Sequence, residues 1–519
     1  MFARLGSGFW LVAIISIMIL FFNLGGIPLL DPDEPVYAET PKEMMTFNEF
    51  ISPRIYGEYW YDKPPMYYWL VAASYKIFGI TEFAARFPSA VLAVACTLAI
   101  YLSGRRLFNE RAGIAGALVL TTSIEFFYLG KAAVTDMTLL LCLTLSLLSF
   151  IEKRYYLAYL FAGLATVTKG PIGLLFPGAI VFSYILVTRN WSLMKSMKIP
   201  SGLLLYAIVA LPWYVMMYSI HGSAFVDTFL GFHNVTRFTS PEHPESVLWY
   251  YYIPVLMLGF FPWTAIMLQS IWTSLTKGRQ DFSALVFLNI WASVIFIFFT
   301  ISQTKLVSYI LPMYPPLAMI VGWYIDRLWT ANQHQRSVSW AIVLGTLSIV
   351  FSGGMLAGIK AMPEIQNGVY ISSAIFIIMA VAAGYFLWHK KIGKAFWTQV
   401  AAMSLFSIVL VSVLFPAAAP TFTTKNIAQQ FKSQYDGRSP VYIIKFLHPG
   451  FTFYTDMYGT EIKYDRKLKN NPELTKIIQE SQRAYFVIRQ SDYEKLADGE
   501  RQILIVLTRI DDKVLLLKE

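Results

Sequence analysis

Apolar runs near 20 residues long recur from Phe9 to Leu414, each about the length a helix needs to cross a bilayer. In lipid only helices and closed barrels satisfy their own backbone, and the strand alternation of a barrel is absent over this region. The chain therefore reads as a polytopic α-helical membrane protein. Composition agrees: 56% of the 519 residues are hydrophobic and only 14% charged, against roughly 25% charged in soluble domains. The first run, Phe9 to Leu24, is followed by acids and lacks a small-residue cleavage site, so it is expected to stay as a helix.

About thirteen spans are expected, at 9–24, 86–104, 112–129, 134–151, 155–168, 171–188, 202–220, 250–272, 284–301, 306–325, 339–359, 370–388 and 396–414. Alternate loops differ in charge. One set carries Arg105, Arg106, Arg111, Lys153, Arg154, Arg189, Lys195, Lys198, Lys277, Arg279, Arg327, Arg336, Lys390, Lys391 and Lys394. Lys and Arg resist translocation, which places this set in the cytoplasm and the long acidic loop 25–85 outside, with the C-terminus. The net charge of +10 is explained by these loops and does not call for nucleic acid. Cys96 and Cys142 sit inside apolar runs, so neither a disulfide framework nor a thiolate metal site is expected. After Pro416 and Pro420 the pattern changes. Residues 421–519 hold strand-like runs at 441–446, 484–489 and 502–510, with helical patterns at 424–434 and 473–482. They read as a small α/β domain of common size. The membrane domain, 1–415, includes the outer loops 25–85 and 221–249.

Eight of the 32 acids fall between Asp31 and Asp62. A solvated loop needs polarity, but these acids are mixed with Tyr37, Met44, Phe47, Tyr56 and Trp60, a mixture suited to the membrane interface. The loop ends in YWYDKPPMYYWL, where the two prolines should launch a helix near Pro64. Asp62 and Lys63 at that start suit a phosphate and a divalent cation; equally, Asp62 could cap the helix while Lys63 snorkels. Asp136, Lys169, His233, Arg237, Lys305 and Tyr309 are expected on the same face. Each has an ordinary reading: a cap, an interface anchor, a loop histidine. Ionisable groups at membrane depth are costly and tend to serve a site, and the shared sidedness points to one outer cavity for an anionic phosphate with a lipid tail. No P-loop, Rossmann fingerprint or zinc protease motif is present, so no nucleotide cofactor is expected.

The stretches DEPVYAETPKEM (33–44), YDKPPMYYWL (61–70), ARFPSAV (85–91), VTDMTLL (134–140), TKGPIGLL (168–175), FHNVTRF (232–238), WYYIPVLMLGFFPW (250–263) and SQTKLVSYILPMYPPLA (302–318) resemble the lipid-phosphate-sugar-dependent glycosyltransferases of the GT-C fold. The bacterial aminoarabinose transferases acting on lipid A match best, and protein O-mannosyltransferases more distantly. The resemblance implies about 13 helices with an extracytoplasmic α/β domain in the cell membrane. The implied reaction moves a sugar from a polyprenyl-phosphate carrier to an extracytoplasmic acceptor: a lipid A-like glycolipid, a wall polymer or a protein. It assigns Asp33 as the catalytic carboxylate with Glu34 beside it. Lys63 and Tyr309 hold the donor phosphate; Lys305 and Arg237, by their charge and sidedness alone, are expected to neutralise it as well. Tyr37, Asp136 and Lys169 line the cavity, and Asp62 with His233 would hold a divalent metal such as Zn, Mg or Mn. Two positions depart from the family pattern. Val36 stands where an Arg is usual, and DKPP replaces EKPP. Residues 421–519 carry no family motif. A transporter or flippase, or a non-catalytic scaffold, would use the same span pattern; transporters favour repeats and midplane sites, and neither is visible here.

Overall fold

The computed structural model describes residues 6–240, 248–278, 283–331, 334–462 and 472–519. By compactness the chain forms two units. The first holds 1–24, 61–67 and 86–414; the second holds 25–60, 68–85 and 415–519. This differs from a boundary drawn only near residue 415, because most of the loop 25–85 belongs to the same compact unit as the C-terminal residues.

The first unit is helical. Among the described residues six helices are long and apolar enough to cross a membrane, and up to eight if each bent pair counts as one span. Ser7–Phe21, Asp136–Ile151 and Ile172–Thr188 are shorter apolar helices. Small residues set the closest packing. A Cβ on Gly322 would lie 2.4 Å from the Gly116 backbone nitrogen, so the helices Glu110–Thr121 and Tyr314–Ala331 meet backbone to backbone, as small-residue stripes permit. At one end of this pair Asp326 accepts from Asn109 (2.7 Å) and Arg111 (3.2 Å). Lys131 donates to the carbonyls of Leu20 and Phe22, satisfying acceptors that the end of the first helix leaves open.

Two expected spans are broken. The run read as 112–129 is Glu110–Thr121 followed by Ile124–Gly130, bent by 68°, and the run read as 250–272 bends by 108° between Tyr252–Gly259 and Thr264–Thr276. The second break holds Pro262, which cannot donate to a helix ladder. Broken helices at membrane depth are tolerated where they line a cavity or pack inside protein.

The second unit carries a five-stranded sheet in the order Thr460–Ile462, Val441–Ile444, Ala484–Arg489, Lys513–Lys518, Leu504–Ile510. The first three strands are parallel and the last two join antiparallel, with Phe486 opposite Leu516. Helices Lys425–Gln434 and Pro472–Glu480 bury Ile427, Phe431, Leu474 and Ile478 in the sheet's core cluster. The sequence pattern anticipates three of the strands. It misses Lys513–Lys518, whose near-continuous apolar run is buried along its length and so shows no alternation.

Candidate active site

In the first unit, the DKPP motif folds onto the segment after the long helix Ile199–Val226. Tyr61 packs against His221 and Phe225, with ring centroids 5.2 and 5.9 Å away. Phe225, Phe229 and Trp213 form an aromatic floor. This seats Asp62 against the π-helical turn Asp227–Thr236. Asp62 Oδ1 accepts from Lys63 Nζ at 2.8 Å and lies 2.7 Å from His233 Nδ1. All three side chains are only about one-tenth exposed. The helix that the prolines were expected to start begins at Met66.

A second constellation stands close by. Lys169, the last residue of Tyr155–Lys169, donates to Asp136 Oδ1 at 2.9 Å. Its ammonium lies 5.3 Å from the centroid of the Tyr309 ring. Asp136 is the first residue of its helix, after an N-cap Thr135 that makes no side-chain cap, and its carboxylate holds the lysine. Asp62 also acts electrostatically on Lys169, which ties the two groups into one polar region. Sequence reasoning missed two members. Glu125, buried just past the first helix break, accepts from Tyr314 Oη at 2.5 Å, and its other oxygen has no partner among the described residues. Gly259, at the second break, leaves their room: a Cβ there would lie 2.6 Å from Glu125 Oε2. The available signal was a lone acid within an apolar run, TTSIEFF.

Lys305 is buried and donates to the Ser302 carbonyl, and among the described residues it meets none of the other site residues. Arg237 opens the turn Arg237–Thr239, but its side chain lies outside the described residues, as do 241–247 of the expected outer loop 221–249.

In the second unit, Asp33 starts the helix Asp33–Thr46 and is exposed, whereas Glu34 is buried. Glu34 Oε2 accepts the Leu30 backbone N–H at 2.9 Å, which ties it to the turn before the helix. Tyr37 stacks with Tyr68 at 6.1 Å. Glu43, Glu39 and Asp31 are held by internal partners, whereas Glu58 is exposed like Asp33. Glu43 accepts the backbone N–H groups of Tyr56 (2.6 Å) and Gly57 (2.9 Å). Lys42 bridges Glu39 (3.0 Å) and Asp456 (2.8 Å). Asp31 bonds Thr424. Burial raises the Asp31 carboxyl to about 7, against the opposing pull of Thr424, Lys513 and Arg489. Burial likewise raises Glu39 to about 7, with Lys42 opposing.

Among the described residues no group of three or more His, Cys, Asp or Glu is arranged to hold a metal. Asp62 and His233 offer two ligands at hydrogen-bond separation, and the oxygen facing the histidine already takes the Lys63 ammonium. This donor set does not fit a resident divalent ion.

The whole chain superposes on ArnT from Cupriavidus metallidurans, a structure bound to undecaprenyl phosphate, with a TM-score of 0.81 at 23% identity, over 99% of this chain and 98% of that one. The chain thus has the fold of that protein and resembles the aminoarabinose transferases in particular. It is 27% identical over 438 residues to the undecaprenyl phosphate-alpha-4-amino-4-deoxy-L-arabinose arabinosyl transferase of Edwardsiella ictaluri, covering 79% of this chain and 77% of that protein. It is 25% identical over 542 aligned positions to the arabinosyl transferase 1 of Proteus mirabilis, covering 98% and 96%. Residues 62–216 match the family of dolichyl-phosphate-mannose-protein mannosyltransferases.

Proposed function

We propose that this chain is a membrane glycosyltransferase that moves a sugar from a polyprenyl-phosphate carrier to an acceptor outside the cell membrane, with a lipid A-like glycolipid, a wall polymer and a protein as the acceptor classes. The observation that carries the reading is the pairing of Asp62 with Lys63 and of Asp136 with Lys169 beside Tyr309, inside a unit with the architecture of transferases of this donor class. Thirteen crossings, with 25–85 and the C-terminal sheet on the outer side, complete the proposal; the charge of alternate loops supports it.

The chemistry follows from the charges. Breaking the bond between sugar and phosphate leaves negative charge on the carrier phosphate, and preorganised cations in a water-poor site stabilise it best. Lys63 and Lys169 supply two ammoniums, each held in place by one aspartate. Tyr309 supplies a hydroxyl donor. Asp33, at the exposed start of its helix, takes the proton from an attacking hydroxyl; for a phosphate acceptor, which needs no base, it steadies positive charge on the sugar instead. Attack in line with the departing phosphate inverts the anomeric carbon. No step is routed through a metal.

The test offers purified protein in liposomes a panel of polyprenyl-phosphate sugars and cell-envelope extract. Free polyprenyl phosphate and a glycosylated product should appear together, and Asp33→Asn or Lys63→Ala should abolish both while folding is retained. Lipid flipping that survives Asp33→Asn, without any product, would make the chain a transporter.

A further inference from the structure

The far end of the helical unit carries a feature that sugar transfer does not use. A cavity of about 670 Å³, within the range of small-ligand sites, opens at the tight turn joining Gln366–Trp388 to Ile392–Val409. Its walls include Trp329, Phe386, Trp397, Lys390, Lys391 and Lys394. The turn is built for close approach. Lys391 N donates to the Phe386 carbonyl at 2.8 Å, and a Cβ on Gly393 would lie 2.1 Å from the Trp329 ring. Glycine there lets the indole close over the turn and shape the hollow.

Charge in the cavity is uncompensated. None of the three lysines has a carboxylate within ion-pair distance among the described residues, although acids are available at this end of the unit: Arg111 pairs with Asp326 at 3.2 Å and Arg106 with Glu152 at 2.6 Å. Lys394 instead lies 5.8 Å over the Phe386 ring. The two tryptophans are exposed, as indoles at a membrane interface are. A basic loop that merely stays out of the bilayer needs no concave aromatic wall. Trp329 and Tyr314 occupy opposite ends of one helix, about 22 Å apart at 1.5 Å rise per residue, so this cavity is separate from the Glu125 and Tyr314 end.

We propose that this cavity binds the phosphate of an anionic membrane lipid, with the lysines on the phosphate and the tryptophans against the glycerol or first methylenes. Basic pockets between membrane helices recognise such headgroups by this combination. An occupant ties the ends of three helices together and stabilises the protein by linkage. The same phosphate chemistry is offered by a glycerophospholipid and by a polyprenyl phosphate.

Thermal unfolding of the full chain in detergent separates these. It is followed during titration with phosphatidylglycerol, phosphatidylcholine, undecaprenyl phosphate or inorganic phosphate, for the wild type and for the triple variant Lys390→Gln, Lys391→Gln, Lys394→Gln. Phosphatidylglycerol should raise Tm where phosphatidylcholine does not, and the triple variant should need at least about tenfold more lipid for the same shift. Trp397→Gln should weaken the lipid response as well. The triple variant should keep its transfer rate at saturating donor, so failure here is distinct from failure of the transferase reading. A shift given only by undecaprenyl phosphate, present in Lys63→Ala and lost when the triple change is added, would support the site with the carrier as occupant. An equal phosphatidylglycerol response in wild type and triple variant overturns the proposal. So does an equal response to phosphatidylcholine, or reproduction of the shift by inorganic phosphate at the same concentration.

Discussion

The acids of the loop helix and those of the membrane unit solve the same problem in opposite ways. Glu34 and Glu43 are buried against backbone N–H groups, Glu39 is locked to Lys42, and Asp31 is held to Thr424. Their partners are supplied by the second unit itself, and they spend their charge on holding the loop in shape. Asp62 and Asp136 each hold a lysine inside an apolar helical unit, where an ionisable group is expensive. A crowd of carboxylates in a sequence therefore says little about chemistry until their partners are known. Within the crowd, exposed Asp33 differs from its buried neighbours.

The largest effects should fall where that difference is functional. Asp33→Asn and Lys63→Ala should each lower the transfer rate by roughly 10²–10⁴-fold, the range of a lost base or charge stabiliser, with unfolding temperatures near wild type for Asp33→Asn. If Asp33 is one more structural carboxylate, Asn will cost stability and leave the rate per folded molecule unchanged.

Asp136→Asn should destabilise the protein by about 3 kcal/mol, because it strands the Lys169 ammonium. Asp136→Leu with Lys169→Met should recover much of that stability but none of the activity. Chemical denaturation and transfer assays on the same preparations separate the two roles.

Asp31 yields a pH dependence of defined sign. Its carboxyl sits at about 7 in the folded protein against an ordinary 3.8. Between those values the native group keeps a proton that the unfolded chain has released, so stability is full below about pH 4 and falls as pH rises to 7. The loss amounts to about 2–4 kcal/mol. Asp31→Asn should flatten the unfolding temperature between pH 5 and 8, and a slope that survives belongs to another group. Glu39, also near 7, adds in the same direction.

Glu43→Ala removes the acceptor for two backbone N–H groups and should cost about 1–3 kcal/mol, with the rate per folded molecule within a few-fold of wild type. Smallest of all is the effect of metal removal. Chelator-treated protein should keep its rate within about twofold, since Lys63 already engages the carboxylate that a cation would need. A rate restored only by added Zn, Mg or Mn would return Asp62 and His233 to the metal role first expected of them.

Much of this was legible in the residues, for identifiable reasons. Hydropathy exposes long spans because lipid demands them. The DKPP and KLVSYILP motifs drew attention to Lys63 and Tyr309, which the structure places beside Asp62 and Lys169. The pairing of Asp62 with His233 was anticipated as shared ligation, whereas the structure gives a contact in which Lys63 takes part. The helix break after Thr121 was hidden because the apolar run continues across it, and the one after Gly259 was passed over although Pro262 stands in it. Glu125 was lost because its partner Tyr314 lies 189 positions further along the chain. Nor did composition separate exposed Asp33 from buried Glu34, because adjacent residues on a helix face different directions.

The most direct test measures binding of polyprenyl phosphate, the leaving group itself, to the wild type and to Lys63→Ala, Tyr309→Phe and Lys390→Gln in nanodiscs containing only neutral lipid. The account predicts saturable binding that Lys63→Ala weakens at least about tenfold, Tyr309→Phe weakens less, and Lys390→Gln leaves unchanged at the tight site. Equal affinity in the wild type and Lys63→Ala, with both proteins folded, would contradict the assignment of this polar region to the donor phosphate.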